Sequence, residues 1–240
     1  MNAINKLLNI ALNEVGYLEK SSPHNLDSKT ANAGKGNYTK YARDMMEISA
    51  PIYVNGYAWC DTFVDWCFVK AFGAVNTKKL ICDWSAYTPT SAGFYKNNGR
   101  WYKSPERGDQ IFFKNKSGVI CHTGFVYDVD AHYVYTVEGN TSSASGVVAN
   151  GGSVARKKYD LNYWYIAGYG RPDYSIVEEE EPMHETEYNW TLACPEWTRP
   201  YVQKALDNGY IKGDDKGALH LTDTKIWCLV VMMRMMGIME

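Results

Sequence analysis

The sequence predicts an α+β fold, with helices gathered toward the N-terminus and an antiparallel sheet after them. Three observations predict it. Apolar residues recur at helical spacing near the start, and from about residue 109 the spacing changes to two, with a composition rich in Val, Ile, Tyr and Phe. The chain is also 240 residues long and 45% apolar, which is enough to bury a core. Charged residues make up 22%, so a disordered, collagen-like or coiled-coil chain is excluded. No apolar run approaches the roughly 20 residues of a transmembrane helix.

Each element has its own signal. Ile4, Leu7, Leu8, Ala11, Leu12 and Val15 form a helical stripe over residues 3–16, and Gly16 lets the chain turn. Residues 20–37, rich in Ser, Asn, Lys and Gly, read as a long loop, and 38–48 as a second helix. Pro51, Asn55 and Gly56 mark another loop. Residues 61–72 read as a buried helix beginning at or just after Cys60, with Asp61 suited to the positive end of its dipole. The segments DQIFFK, HTGFVYDV, HYVYTVEG, GVVAN, SVARKKY and YWYIAGYG all read as short strands.

The charge distribution divides the chain. Up to Tyr174 there are 19 Lys and Arg against 15 Asp and Glu; after it there are 6 against 12. The change falls at SIVEEEEPMHETE, where four Glu repel one another and Pro182 stops any helix. Residues 1–174 therefore read as one domain, 175–187 as an acidic linker, and 188–240 as a small, mainly helical module. About 50 residues make a marginal core, so this module is expected to lean on a partner. The upstream positive excess is small and scattered, which argues against nucleic acid as a partner, and nothing points to a membrane. The N-terminus is interrupted by polar residues and has no small-residue cleavage site, so no signal peptide is expected.

Cys60 is the sharpest chemical candidate. It sits where a Gly-containing loop meets a helix, and backbone N–H groups at a helix N-terminus stabilise a thiolate and can also receive an oxyanion. The competing reading is a small buried residue. His122 opens the strand HTGFVYDV, which a short turn joins to HYVYTVEG. With a three-residue turn at 129–131, His122 lies directly opposite Glu138 on one face, so that the carboxylate holds one imidazole nitrogen and leaves the other as a base. Asn140, two residues on, points to the same face and could hold the imidazole instead or donate to an oxyanion. A turn with an odd index sum would break this alignment. The six cysteines form no CxxC pair and match no zinc module. No metal or cofactor is expected: no dense Asp-rich loop is present for calcium, although Asp27, Asp44 and Asp61 carry oxygen ligands.

The stretch GYAWCDTFVDWCF, followed about 60 residues later by HTGFVYDV and then VEGNTS, resembles the CHAP family of cysteine peptidoglycan hydrolases, and more closely phage endolysins of Gram-positive hosts. EVGYLEK, NYTKYARDM, GRWYKSPERGDQIFF and IAGYGRPDY extend the resemblance over residues 3–174. It implies a papain-like fold, with Cys60 as nucleophile, His122 as base, Glu138 as its orienter and Asn140 in support. The reaction implied is cleavage of an amide in Gram-positive cell walls, by an N-acetylmuramoyl-L-alanine amidase or a peptide-stem endopeptidase. Tyr57, Trp59, Trp84, Tyr87 and Trp164 are candidates for the cleft, with core packing as their alternative. Residues 196–237 are similar to a single S-layer-homology-like repeat, which implies wall-glycan binding or self-association. An endolysin would be held in the host cytoplasm until lysis. Two other readings stay open: a non-catalytic wall-binding protein on a degenerate CHAP scaffold, and another papain-like thiol peptidase.

Overall fold

The computed structural model describes residues 2–177 and 186–239, in two compact units divided after Glu178. The Glu178–Glu181 run, Pro182 and His184 of the expected linker lie outside the described residues. The ends of that linker are ordered: Tyr174–Ile176 form a 3-10 turn and Glu187 opens a strand.

The first unit begins with α1 (Ala3–Asn13), capped by the Asn2 side chain on the N–H groups of Ile4 and Asn5. Then come α2 (Lys40–Ser49), α3 (Cys60–Leu80) and α4 (Thr88–Asn97). Strands β1 (Trp101–Tyr102), β2 (Gln110–Lys114), β3 (Ile120–Val129), β4 (Tyr133–Thr141), β5 (Ser153–Asp160) and β6 (Ile166–Gly170) form one antiparallel sheet in the order β1-β6-β2-β3-β4-β5.

The expected helices and sheet are present, with three differences. The segment 146–150 is loop rather than strand. Helix α4 gave no apolar period to read; its TPTSAGFYKN sequence is started by a proline in its first turn instead. Helix α3 runs eight residues past 72 because Gly73, at φ 76°, lets the chain kink and resume.

Because successive side chains of a strand point to opposite faces, the sheet carries two cores. Phe112, Phe125, Val137 and Val154 join Leu7, Leu8, Phe63 and Phe68 of the helices. Ile111, Phe113, Val126, Val134, Tyr159 and Tyr169 form a second core on the other face. Most of the aromatic excess is structural: Tyr41 packs against Tyr17, Trp59, Phe63 and Trp66 with ring centroids 4.8 to 5.4 Å apart.

The second unit pairs β7 (Glu187–Tyr188) with β8 (Leu221–Thr222) and packs α5 (Arg199–Asp207) on α6 (Asp223–Met235). Its core comprises Cys194, Tyr201, Val202, Ala205, Leu221, Ile226, Leu229, Val230 and Met233, so the unit buries an apolar centre of its own.

Candidate active site

Cys60 is the first residue of α3 and is buried. The residue before it, Trp59, makes no side-chain cap, so it does not satisfy the first N–H groups of the helix, which have no intrahelical partner. Asp61, also buried, does not fold back to cap them. Its carboxylate accepts from Ser91 Oγ at 2.6 Å and from Gln110 Nε2 at 3.2 Å. Gln110 Nε2 also donates to Thr123 Oγ1 at 3.0 Å. The residue after the cysteine is thereby tied to the residue after His122, and the helix that begins at Cys60 is locked to the strand that carries the histidine. Burial pushes the Asp61 carboxyl up to about 7, and the hydrogen bonds from Ser91 and Gln110 oppose that rise.

His122 and Glu138 meet, but not by the register the sequence suggested. The turn is wider: Val129 pairs with Val134, with residues 130–133 between them. Asp130 Oδ1 accepts from the N–H groups of both His132 and Tyr133 at 2.8 Å, which closes the wider loop. That pairing alone would put His122 and Glu138 on opposite faces. A bulge between Val126 and Asp128 absorbs one residue and restores parity. Beyond the Phe125–Val137 pair, the continued register sets His122 across from Asn140, and Glu138 across from Gly124.

Glu138 reaches His122 diagonally over Gly124. A Cβ on Gly124 would stand 2.5 Å from Glu138 Cγ and 2.8 Å from the Val137 carbonyl oxygen, so only glycine leaves the path open. Gly124→Ala is therefore expected to displace the carboxylate and lower turnover about 100-fold while the protein stays folded. Turnover of a soluble stem peptide, with circular dichroism as the folding control, checks this.

The contact itself is short and dry. His122 Nε2–H donates to Glu138 Oε2 at 2.9 Å, with both side chains fully buried. Thr136 Oγ1 donates to Glu138 Oε1 at 2.5 Å and Tyr159 OH to Oε2 at 3.3 Å, so both carboxylate oxygens are held. The Nδ1 of His122 is buried without a hydrogen-bond partner. Burial works against a charged imidazole, but the neighbouring Cys60 and then Glu138 outweigh it and push His122 up to about 10.

A histidine raised from 6.5 contributes stability that is complete below pH 6.5 and is lost as pH rises toward 10. The stability advantage of the wild type over His122→Gln should shrink across that window. Urea midpoints of both proteins from pH 6 to 10 measure it.

Asn140 occupies the left-handed region at φ 54°. Its Oδ1 accepts from Gly152 N at 3.3 Å, and its Nδ2 is buried without a partner. Glu138, not Asn140, therefore holds the imidazole, and Asn140 keeps a spare donor. The proposed cleft aromatics separate. Trp59 is a core residue, 1% exposed, whose indole donates to Glu19 Oε2 at 2.9 Å, and Trp84 is also buried. Tyr57 and Tyr87 are exposed and line a groove of about 310 Å³ with Ile52, Val54, Ala58 and Thr62, beside the start of α3. Trp164 is exposed but lines a different groove, with His132, Tyr133 and Asp160. Asp27 and Asp44 are engaged by Arg43 in ion pairs of 2.8 and 2.7 Å. Among the described residues no three His, Cys, Asp or Glu side chains cluster as metal ligands.

Sequence reasoning missed Thr136, Tyr159, Gln110 and Gly124. Thr136 had a readable signal, since it lies two residues before Glu138 on the same strand face; the other three depend on pairings across strands.

Residues 52–140 match the family model of the CHAP domain, a span that includes Cys60, His122, Glu138 and Asn140. The matched span thus carries a cysteine and a histidine on a mixed fold of helices and antiparallel sheet, an arrangement consistent with the papain-like CHAP fold. No curated protein matches the chain in sequence. One solved structure, of Ly7917, is similar to it with a TM-score of 0.42 and 12% identity, covering 78% of this chain; this chain spans 65% of the length of that one.

Proposed function

We propose that the protein is a phage endolysin that cleaves an amide bond in Gram-positive peptidoglycan, with Cys60 as nucleophile. The observation that supports this best is the buried His122, clamped by Glu138 on Nε2 and left with a free Nδ1 beside Cys60. In this reading His122 takes the thiol proton and Cys60 Sγ attacks the amide carbonyl. The uncapped N–H groups at the start of α3 and the spare Asn140 Nδ2 receive the negative charge that develops on oxygen. His122 then gives its proton to the departing amine, leaving a thioester on Cys60. Water, deprotonated by His122, hydrolyses the thioester and frees the enzyme. Glu138 keeps the imidazole oriented and offsets its charge throughout.

The bond is either that between N-acetylmuramic acid and L-alanine or one within the stem or cross-bridge. Mass spectrometry of fragments released from purified Gram-positive peptidoglycan separates the two. A free L-alanine amine on released stems identifies an amidase, and internally cut stems still on glycan identify an endopeptidase. Absence of any release would overturn the reading.

The second unit is proposed to be an S-layer-homology-like module for wall targeting or self-association. The exposed Trp227, Val231, Met232 and Met235 on α6, with Met236 just after it, support this, as does Trp197 packed on Trp227 at 5.1 Å. Removing residues 188–240 is expected to spare turnover of soluble fragments and weaken lysis of intact walls at least tenfold. Turbidity clearance by both forms, at matched soluble activity, checks it.

A further inference from the structure

The CHAP reading leaves the buried acid Glu19 without a task. Glu19 is 5% exposed, and among the described residues its side chain accepts one hydrogen bond, a neutral one, from the Trp59 indole at 2.9 Å. None of the ion pairs among the described residues includes it. Its neighbour Lys20 is committed elsewhere, donating to the carbonyl oxygens of Leu18 at 2.5 Å and Lys29 at 3.2 Å. Withdrawing a carboxylate from water with no cation opposite it is costly, and such groups are kept where a ligand supplies the charge.

Glu19 lines a cavity of about 530 Å³, together with Gly34, Lys35, Asn150, Gly151 and Gly152. The glycines bring backbone against it. A Cβ on Gly152, at φ +74°, would lie 3.0 Å from Glu19 Cδ, and one on Gly151 would lie 2.3 Å from the Thr141 carbonyl carbon. Lys35 is exposed, pairs with no acid among the described residues, and suits a ligand carboxylate. Two links join the cavity to the reaction centre. Trp59, which holds Glu19, immediately precedes Cys60, and Asn140 Oδ1 accepts from Gly152 N.

We propose that Glu19 is a specificity-determining residue that binds a primary ammonium on the peptide part of the substrate, next to the amide that Cys60 attacks. This rests on the hydrolase reading above and adds to it the charge of the group recognised. Two amines carry that chemistry: the side-chain amine of a diamino acid in the stem, and the terminal amine of a cross-bridge.

The test compares two soluble disaccharide–stem peptides, one with the side-chain amine of its diamino acid free and one with a cross-bridge on that amine and the bridge's terminal amine free, each with and without acetylation of its free amine. Wild-type turnover is measured on each, and binding of each to Cys60→Ala is measured by calorimetry. One acetylation should raise KM, and Kd for Cys60→Ala, at least tenfold, and the one that does so names the amine. Glu19→Gln keeps an acceptor for the Trp59 indole and removes the charge; it should bring the ratio of free to acetylated close to one, through KM rather than kcat. Turnover with KM and Kd unchanged by acetylation of either peptide would overturn the subsite and leave the hydrolase reading standing. Discrimination in binding without turnover of any form would do the reverse. Neither binding nor turnover would overturn both.

Discussion

Cys60→Ser is expected to cut amide hydrolysis by about 10,000-fold or more without unfolding the protein. The change replaces one atom at the first position of α3, where a hydroxyl is well accommodated by a helix start. Packing is conserved because the side chain volume barely alters. What is lost is nucleophilicity: His122 can orient a serine hydroxyl, but the site supplies no stronger base to ionise it. Turnover of a soluble stem peptide, read beside the thermal midpoint, checks both halves. An active, folded Cys60→Ser protein would remove Cys60 as nucleophile.

Glu138→Ala should cost both activity and stability. The carboxylate holds His122, Thr136 and Tyr159 in a region with no access to water, so its removal strands three donors at once. Deleting one partner of a buried charged pair costs about 3–5 kcal/mol. Turnover should fall by about 1,000-fold or more, because the imidazole loses both its orientation and its counter-charge. Glu138→Gln preserves shape and an acceptor for Thr136, so it should recover most of the stability and little of the activity. A Glu138→Gln enzyme as active as the wild type would show that Glu138 only fills space. Denaturant unfolding and steady-state kinetics on the two variants separate these outcomes.

Much of this site is legible in the sequence, for identifiable reasons. The start of α3 is marked by the loop that precedes it and by Asp61, so Cys60 stands out at once. The pairing of His122 with Glu138 follows from both lying on neighbouring β-rich segments at even spacing. The register that brings them together is not legible. It depends on a four-residue turn closed by Asp130 and a bulge at Tyr127, two departures that cancel in parity while shifting the opposite partner of His122 to Asn140. Hydrophobic alternation records which face a residue takes and not how many residues a turn consumes.

The aromatics show the same limit. Tyr57 and Trp59 are two residues apart in one loop, yet Tyr57 is 69% exposed and Trp59 is buried. Composition cannot separate them, because the choice is made by Glu19, Tyr17 and Tyr41, which come from distant segments. Helix α4 was hidden for another reason: its TPTSAGFYKN sequence carries Thr, Ser and Gly where a helix would ordinarily show strong formers, and packing rather than propensity fixes it.

In the proposed mechanism Cys60 carries the acyl half of the substrate during turnover. Acid-quenching the wild type as it turns over a soluble stem peptide, followed by intact mass and peptide mapping, tests this directly. A mass increment equal to that acyl fragment is expected on the peptide containing Cys60, with no turnover in Cys60→Ala. An acyl increment mapped to another residue, or turnover that persists in Cys60→Ala, would contradict it.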